Sequence, residues 1–146
     1  MPLLRNYQGG ANAARQSTGG LLAAAAMLST VGAALHMLVV PEHFEEWWGY
    51  GTFFLITALA QGFGGIALWR WPGHPLFLIG IAGNLAIVGL WLTTRSVGVP
   101  FFGPHAWEIE GIGAVDLACT LSEIVLIFTL SVLLRGLGRI REVDAA

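Results

Sequence analysis

The amino-acid sequence predicts an all-α integral membrane protein, a four-helix bundle with both termini on the cytoplasmic side. Charged residues make up 11% of the chain, under half of the roughly 25% that is usual in soluble domains. Four apolar stretches approach the ~20 residues that cross a bilayer as a helix. Runs of this length favour helices, because only helices and closed barrels satisfy backbone polar groups in lipid.

The predicted spans are residues 20–40, 51–69, 75–94 and 112–134, and together they form one membrane domain over residues 20–136. Residues 1–19 and 137–146 are predicted to be cytoplasmic tails. The links between spans are short, which makes sequential helices antiparallel neighbours. Pro41 is expected to end the first helix. The glycines of spans two and three predict close packing between those two helices.

The arginines predict the orientation in a cell membrane of the cytoplasmic type. All seven basic residues are arginine, and with both termini inside, only Arg95 lies outside. Such an asymmetry is typical of the positive-inside rule. The absence of lysine excludes a retinal held by a Schiff base, and a net charge of −2 gives no footprint for nucleic acid. Cys119 is the sole cysteine, so the chain forms no internal disulfide.

Histidines and carboxylates concentrate on the predicted outer side, in "HMLVVPEHFEEWW" (36–48) and "RSVGVPFFGPHAWEIEG" (95–111). Imidazole combined with carboxylate suits zinc, copper or iron. We therefore predict an extracytoplasmic-facing transition-metal site, which requires the first and third loops to pack together. The predicted metal ligands are His36, His43, His105 and Asp116. Glu42 and Glu108 are predicted either to bind the metal as well or to hold the other ligands in place by hydrogen bonds.

Depth along the helices, at ~1.5 Å per residue, predicts two polar layers. Gln61, Asn84 and Glu123 lie near the bilayer centre and form a candidate cofactor-binding group, while His36 and Asp116 share a shallower layer. A charged side chain that faces lipid at mid-depth costs about 2.5–3.5 kcal/mol. These side chains are therefore expected to point into the bundle.

Three alternatives to the metal site remain open at this stage. The polar groups could form an interhelical hydrogen-bonded cluster that only stabilises the bundle. They could serve a membrane enzyme or binder for a lipid-soluble substrate, with Glu123, Asp116 and His36 as acid–base groups. The chain could also be an accessory subunit of a larger membrane complex or a homo-oligomer, in addition to its contact with the lipid bilayer.

Overall fold

Four α-helices account for the fold of the part of the chain that can be described. The computed structural model describes residues 2–99 and 101–144, and the side chains of residues 16–99 and 101–136. The helices are α1 (Pro2–Glu46), α2 (Trp48–Arg70), α3 (His74–Ser96) and α4 (Ala114–Asp144). Each contains a segment that is long and apolar enough to cross a membrane: Gln16–Glu46, Trp48–Arg70, His74–Ser96 and Ala114–Gly136.

The first helix does not end at Pro41, as the sequence suggested, but continues to Glu46. A proline inside a helix removes one backbone hydrogen bond, and membrane helices tolerate this loss. Two residues beyond the proline, His43 Nδ1 donates to the Val39 carbonyl oxygen at 2.8 Å. Trp47, with extended backbone (φ −168°, ψ 136°), then separates α1 from α2 as a single residue.

The helices do not pack in the way that the glycines predicted. α1 packs closely along α2 and also along α4, and α3 packs on α4. Of the four helix pairs that touch within the described residues, α2 and α3 are the most loosely packed. The glycines of α2 face α1: a Cβ on Gly65 would lie 2.8 Å from Thr30 Oγ1 and 3.0 Å from the Ala26 carbonyl oxygen. On α3, Gly83 has nothing within 4 Å of its Cβ position. The expected α2–α3 packing is therefore wrong, and a cleft separates these two helices.

An apolar cluster fills the bundle at the end where α2 connects to α3, which we call the short-link end. Phe77 and Leu130 are its most enclosed large side chains. Because lipid is as apolar as these side chains, the cluster stabilises the bundle through close van der Waals packing more than through removal of water. Its buried members are Ala25, Leu68, Phe77, Leu126, Leu130 and Leu133.

The opposite end, which we call the long-loop end, is covered by the segment between α3 and α4. Tyr50 at the start of α2 donates its hydroxyl to the Phe102 carbonyl oxygen at 3.1 Å, and the Trp47 and Phe102 rings lie 4.9 Å apart. Gly103, at φ +82°, lies so close to Tyr50 that a Cβ there would be 2.3 Å from the hydroxyl oxygen. The first and third loops therefore do meet, but they meet through aromatic rings.

Candidate metal centre

Between the apolar cluster and the long-loop end, three side chains with metal-binding atoms meet. His36 reaches across from α1 to Cys119 and Glu123, which are four residues apart and so share one face of α4. Their exposed fractions are 4%, 7% and 2%. His36 Nε2 lies 3.0 Å from Glu123 Oε1 and 3.3 Å from Cys119 Sγ, and Sγ lies 3.8 Å from Oε1. We call these three residues the core triad.

Two amides connect the core triad to the remaining helices. Gln61 Nε2 donates to Glu123 Oε1 and to Asn84 Oδ1, each at 3.2 Å. Asn84 Nδ2 in turn donates to the Gly80 carbonyl oxygen at 2.7 Å. Since carboxylate and carbonyl oxygens accept hydrogen bonds, these partners fix the orientation of both amides. Glu123 on α4 is thereby bonded to His36 on α1 and to Gln61 on α2. Gln61 also connects this group to Asn84 on α3.

Gln61 fits at this depth because α1 has a glycine opposite it. A Cβ on Gly32 would lie 2.5 Å from Gln61 Oε1, so a larger residue at position 32 would displace the amide. Gln61 Oε1 is buried and has no hydrogen-bond partner among the described residues. Ser29, one turn before Gly32, donates its hydroxyl to the Gln61 backbone carbonyl at 2.7 Å. The amide is therefore fixed at its backbone and at Nε2.

Asp116 does not pair with His36, because Arg95 binds its carboxylate. The Arg95 guanidinium donates to Asp116 Oδ2 and, at 2.9 Å, to Glu110 Oε2. The same guanidinium lies over the Trp91 ring, 5.3 Å from its centroid. A guanidinium is always charged and has five donors, so Arg95 is a strong partner for the Asp116 carboxylate. This ion-pair group lies at the long-loop end, separate from the core triad.

The remaining predicted metal ligands are also apart from His36. His43 is half-buried and its ring packs on Phe54 at 3.9 Å between centroids. His105 and Glu108 form a pair at 2.9 Å on the exposed loop. Glu42 is exposed on α1. The structure therefore does not bring the six predicted ligands together; within the described residues, His36, Cys119 and Glu123 are the only cluster of at least three such groups with ligand atoms within 4.8 Å of one another.

The two polar layers predicted from the sequence agree with the structure only in part. Gln61, Asn84 and Glu123 do meet, as their equal depth predicted, and His36 does face the interior. Cys119 was not among the ligands predicted from the sequence. Its spacing of four residues from Glu123 was the signal that could have identified it.

The core triad has the dimensions of a small metal site. Three donors around a tetrahedral zinc ion, with bonds of about 2.0–2.3 Å, lie roughly 3.3–3.6 Å apart. The observed separations are 3.0, 3.3 and 3.8 Å. A triangle with these sides has a point about 2 Å from all three corners, close to a zinc–ligand bond length. Movements of a few tenths of an ångström would therefore suffice for coordination.

Comparisons with known proteins add no further assignment. No family model, no curated protein and no solved structure matches this chain.

Proposed function

We propose that this chain is a multi-pass membrane protein whose core triad binds a divalent transition metal ion, with Zn²⁺ as the preferred ion. The observation that carries the proposal is the triangle formed by His36 Nε2, Cys119 Sγ and Glu123 Oε1, which has the size of one face of a zinc coordination tetrahedron. The site differs from the predicted outer-loop site in its ligands and its depth, since only His36 is common to both.

Charge balance favours a divalent ion. A thiolate and a carboxylate together bring two negative charges, and a neutral imidazole brings none. All three groups are buried, where an uncompensated charge costs several kcal/mol. An ion of charge +2 makes the centre neutral, whereas a monovalent ion such as Cu⁺ leaves one negative charge inside the bundle.

The donor types favour zinc among the divalent ions. A soft thiolate, a borderline imidazole and a hard carboxylate together match the ligand set of zinc. Magnesium and calcium prefer oxygen ligands only. Gln61 supports the site by donating to Glu123 Oε1 at 3.2 Å, which orients the carboxylate toward His36.

The arginine distribution supports the orientation proposed for the whole protein. With both termini cytoplasmic, the long-loop end faces outward. His36 is ten residues before the end of α1, and the centre is therefore about 15 Å below that end.

The test is a titration of the purified protein, kept reduced in detergent, with Co²⁺ as a spectroscopic substitute for zinc. We expect one ion per chain and a sulfur-to-cobalt charge-transfer band in the near ultraviolet. Cys119→Ser abolishes that band, and His36→Ala and Glu123→Gln lower the affinity by at least tenfold. Binding releases the thiol proton, which a pH indicator in weak buffer measures.

His43→Ala is the matched control, because it removes an imidazole from the same helix without touching the core triad. His105→Ala controls for the exposed histidine of the loop. Both variants are expected to bind Co²⁺ as the wild type does. A wild-type protein without the charge-transfer band, or a band that survives in Cys119→Ser, overturns the proposal.

A further inference from the structure

The cleft between α2 and α3 is a second feature, separate from the core triad. It has a volume of about 280 Å³. Apolar side chains of both helices line most of it, and the exposed Ile56 and Ile79 lie at its rim. Gln61 and Asn84 are the amides in its wall. The cleft therefore combines an apolar body with a small polar patch, which is the general composition of a small-molecule site.

Asn84, in the wall of the cleft, has an amide hydrogen that no described residue accepts. Asn84 Nδ2 has two hydrogens, and one of them is donated to the Gly80 carbonyl oxygen. Both hydrogens of Gln61 Nε2 are used by Asn84 and Glu123. The cleft thus offers this amide hydrogen, and the Thr57 hydroxyl in its lining, to a ligand that carries an acceptor oxygen.

Depth and charge define the ligand further. Asn84 lies ten residues from the start of α3 and twelve from its end, which is about 15–18 Å from either end of the helix. In a hydrocarbon layer ~30 Å thick, this is the middle of the membrane. Phospholipid ester oxygens do not reach that depth. The lining has no ionised side chain, so the ligand is neutral.

From these observations we propose that the α2–α3 cleft binds a neutral, membrane-soluble molecule of the quinone class, with a ring carbonyl oxygen accepting from Asn84 Nδ2. The volume of about 280 Å³ is just below the roughly 300 Å³ at which small-molecule sites usually begin. It accommodates one ring and a few substituent carbons. The apolar tail leaves the cleft laterally, between the poorly packed α2 and α3, into the lipid.

The glycines of α3 provide a blocking variant and a matched control. Neither Gly83 nor Gly89 has any atom within 4 Å of its Cβ position, so a side chain can begin at either position without a clash. Gly83 lines the cleft and Gly89 does not. Gly83→Leu therefore fills the cleft, whereas Gly89→Leu adds the same side chain to the same helix elsewhere.

The experiment uses photo-crosslinking of the full chain in lipid nanodiscs with a diazirine derivative of decylbenzoquinone. The comparison probe is the same diazirine on decylbenzene, which lacks the carbonyl oxygens. Peptide mass spectrometry is expected to locate the quinone label on α2 and α3 beside the cleft. Loss of one hydrogen bond makes the decylbenzene probe bind about 3- to 10-fold more weakly.

Gly83→Leu is expected to lose the label, and Gly89→Leu to keep it at an unchanged unfolding temperature. Asn84→Leu is expected to label equally with both probes. Equal labelling of the wild type by the two probes assigns the cleft to lipid chains and overturns the proposal, as does a label that persists in Gly83→Leu. The proposal does not depend on metal binding. Co²⁺ titration of Gly83→Leu separates the two, because the metal site stays intact when the cleft is filled.

Discussion

Glu123 is the residue whose removal tests the polar layer most directly. Its Oε1 accepts from His36 Nε2 at 3.0 Å and from Gln61 Nε2 at 3.2 Å. Glu123→Met keeps a side chain of similar length and removes the acceptor. Interhelical hydrogen bonds in membrane proteins contribute about 0.6 kcal/mol on average and at most about 1.7 kcal/mol. For two bonds, we therefore expect the free energy of unfolding to fall by about 1–3 kcal/mol.

A double-mutant cycle isolates the bond between Glu123 and His36. His36→Phe preserves a ring at that position and removes both nitrogens. The double variant is expected to be less destabilised than the sum of the two single variants by about 0.6–1.7 kcal/mol. Reversible unfolding of metal-free protein in mixed micelles, followed by circular dichroism, measures all four species. Additivity within about 0.3 kcal/mol would refute the hydrogen bond as a source of stability.

Three further predictions concern helix packing, the ion pairs and the orientation. Gly65→Ala forces α1 away from α2 and should lower the free energy of unfolding by about 1–3 kcal/mol. The control is Gly62→Ala, which should be nearly neutral because its Cβ would have its nearest neighbour at 3.7 Å. Arg95→Met leaves the Asp116 carboxylate without its cation and should lower the unfolding free energy by about 1–3 kcal/mol in the same assay. In a Cys119→Ser background, a cysteine replacing the exposed Ile109 should react with a membrane-impermeant maleimide on intact cells; labelling only after lysis would reverse the proposed orientation.

The sequence was sufficient to predict the helices because their signal is local. Hydropathy over ~20 residues identifies a span without knowledge of its neighbours. The first three helices contain the predicted spans, and α4 begins two residues after the start predicted for the fourth. Which helices pack together depends on the direction in which small residues face. Gly65 has its nearest neighbours on α1, so its presence in α2 gave no information about α3. The α2–α3 cleft could not be predicted either, because the sequence does not show in which direction the glycines face.

The site was predicted in part because depth follows from residue number, whereas pairing does not. Equal depth correctly grouped Gln61, Asn84 and Glu123. Depth also grouped His36 with Asp116, but the choice among acceptors depends on competition. Arg95 comes from α3 and binds Asp116 with a permanent charge, which leaves His36 to Glu123. Continuation of α1 beyond Pro41 also keeps His43 on the helix, where its ring packs on Phe54.

Cys119 separates a stabilising role of the polar layer from a metal-binding role. An interhelical hydrogen-bonded cluster needs only His36, Glu123 and Gln61, whose hydrogen bonds measure 3.0 and 3.2 Å. The thiol adds only weak contacts at 3.3 and 3.8 Å, because S–H is a weak donor and sulfur a weak acceptor. As a packing group, it is replaceable by alanine at the cost of a small cavity. A metal centre, in contrast, loses its only thiolate. Substitution of Cys119, which lies one helical turn from Glu123 and 3.3 Å from His36 Nε2, therefore distinguishes the two roles.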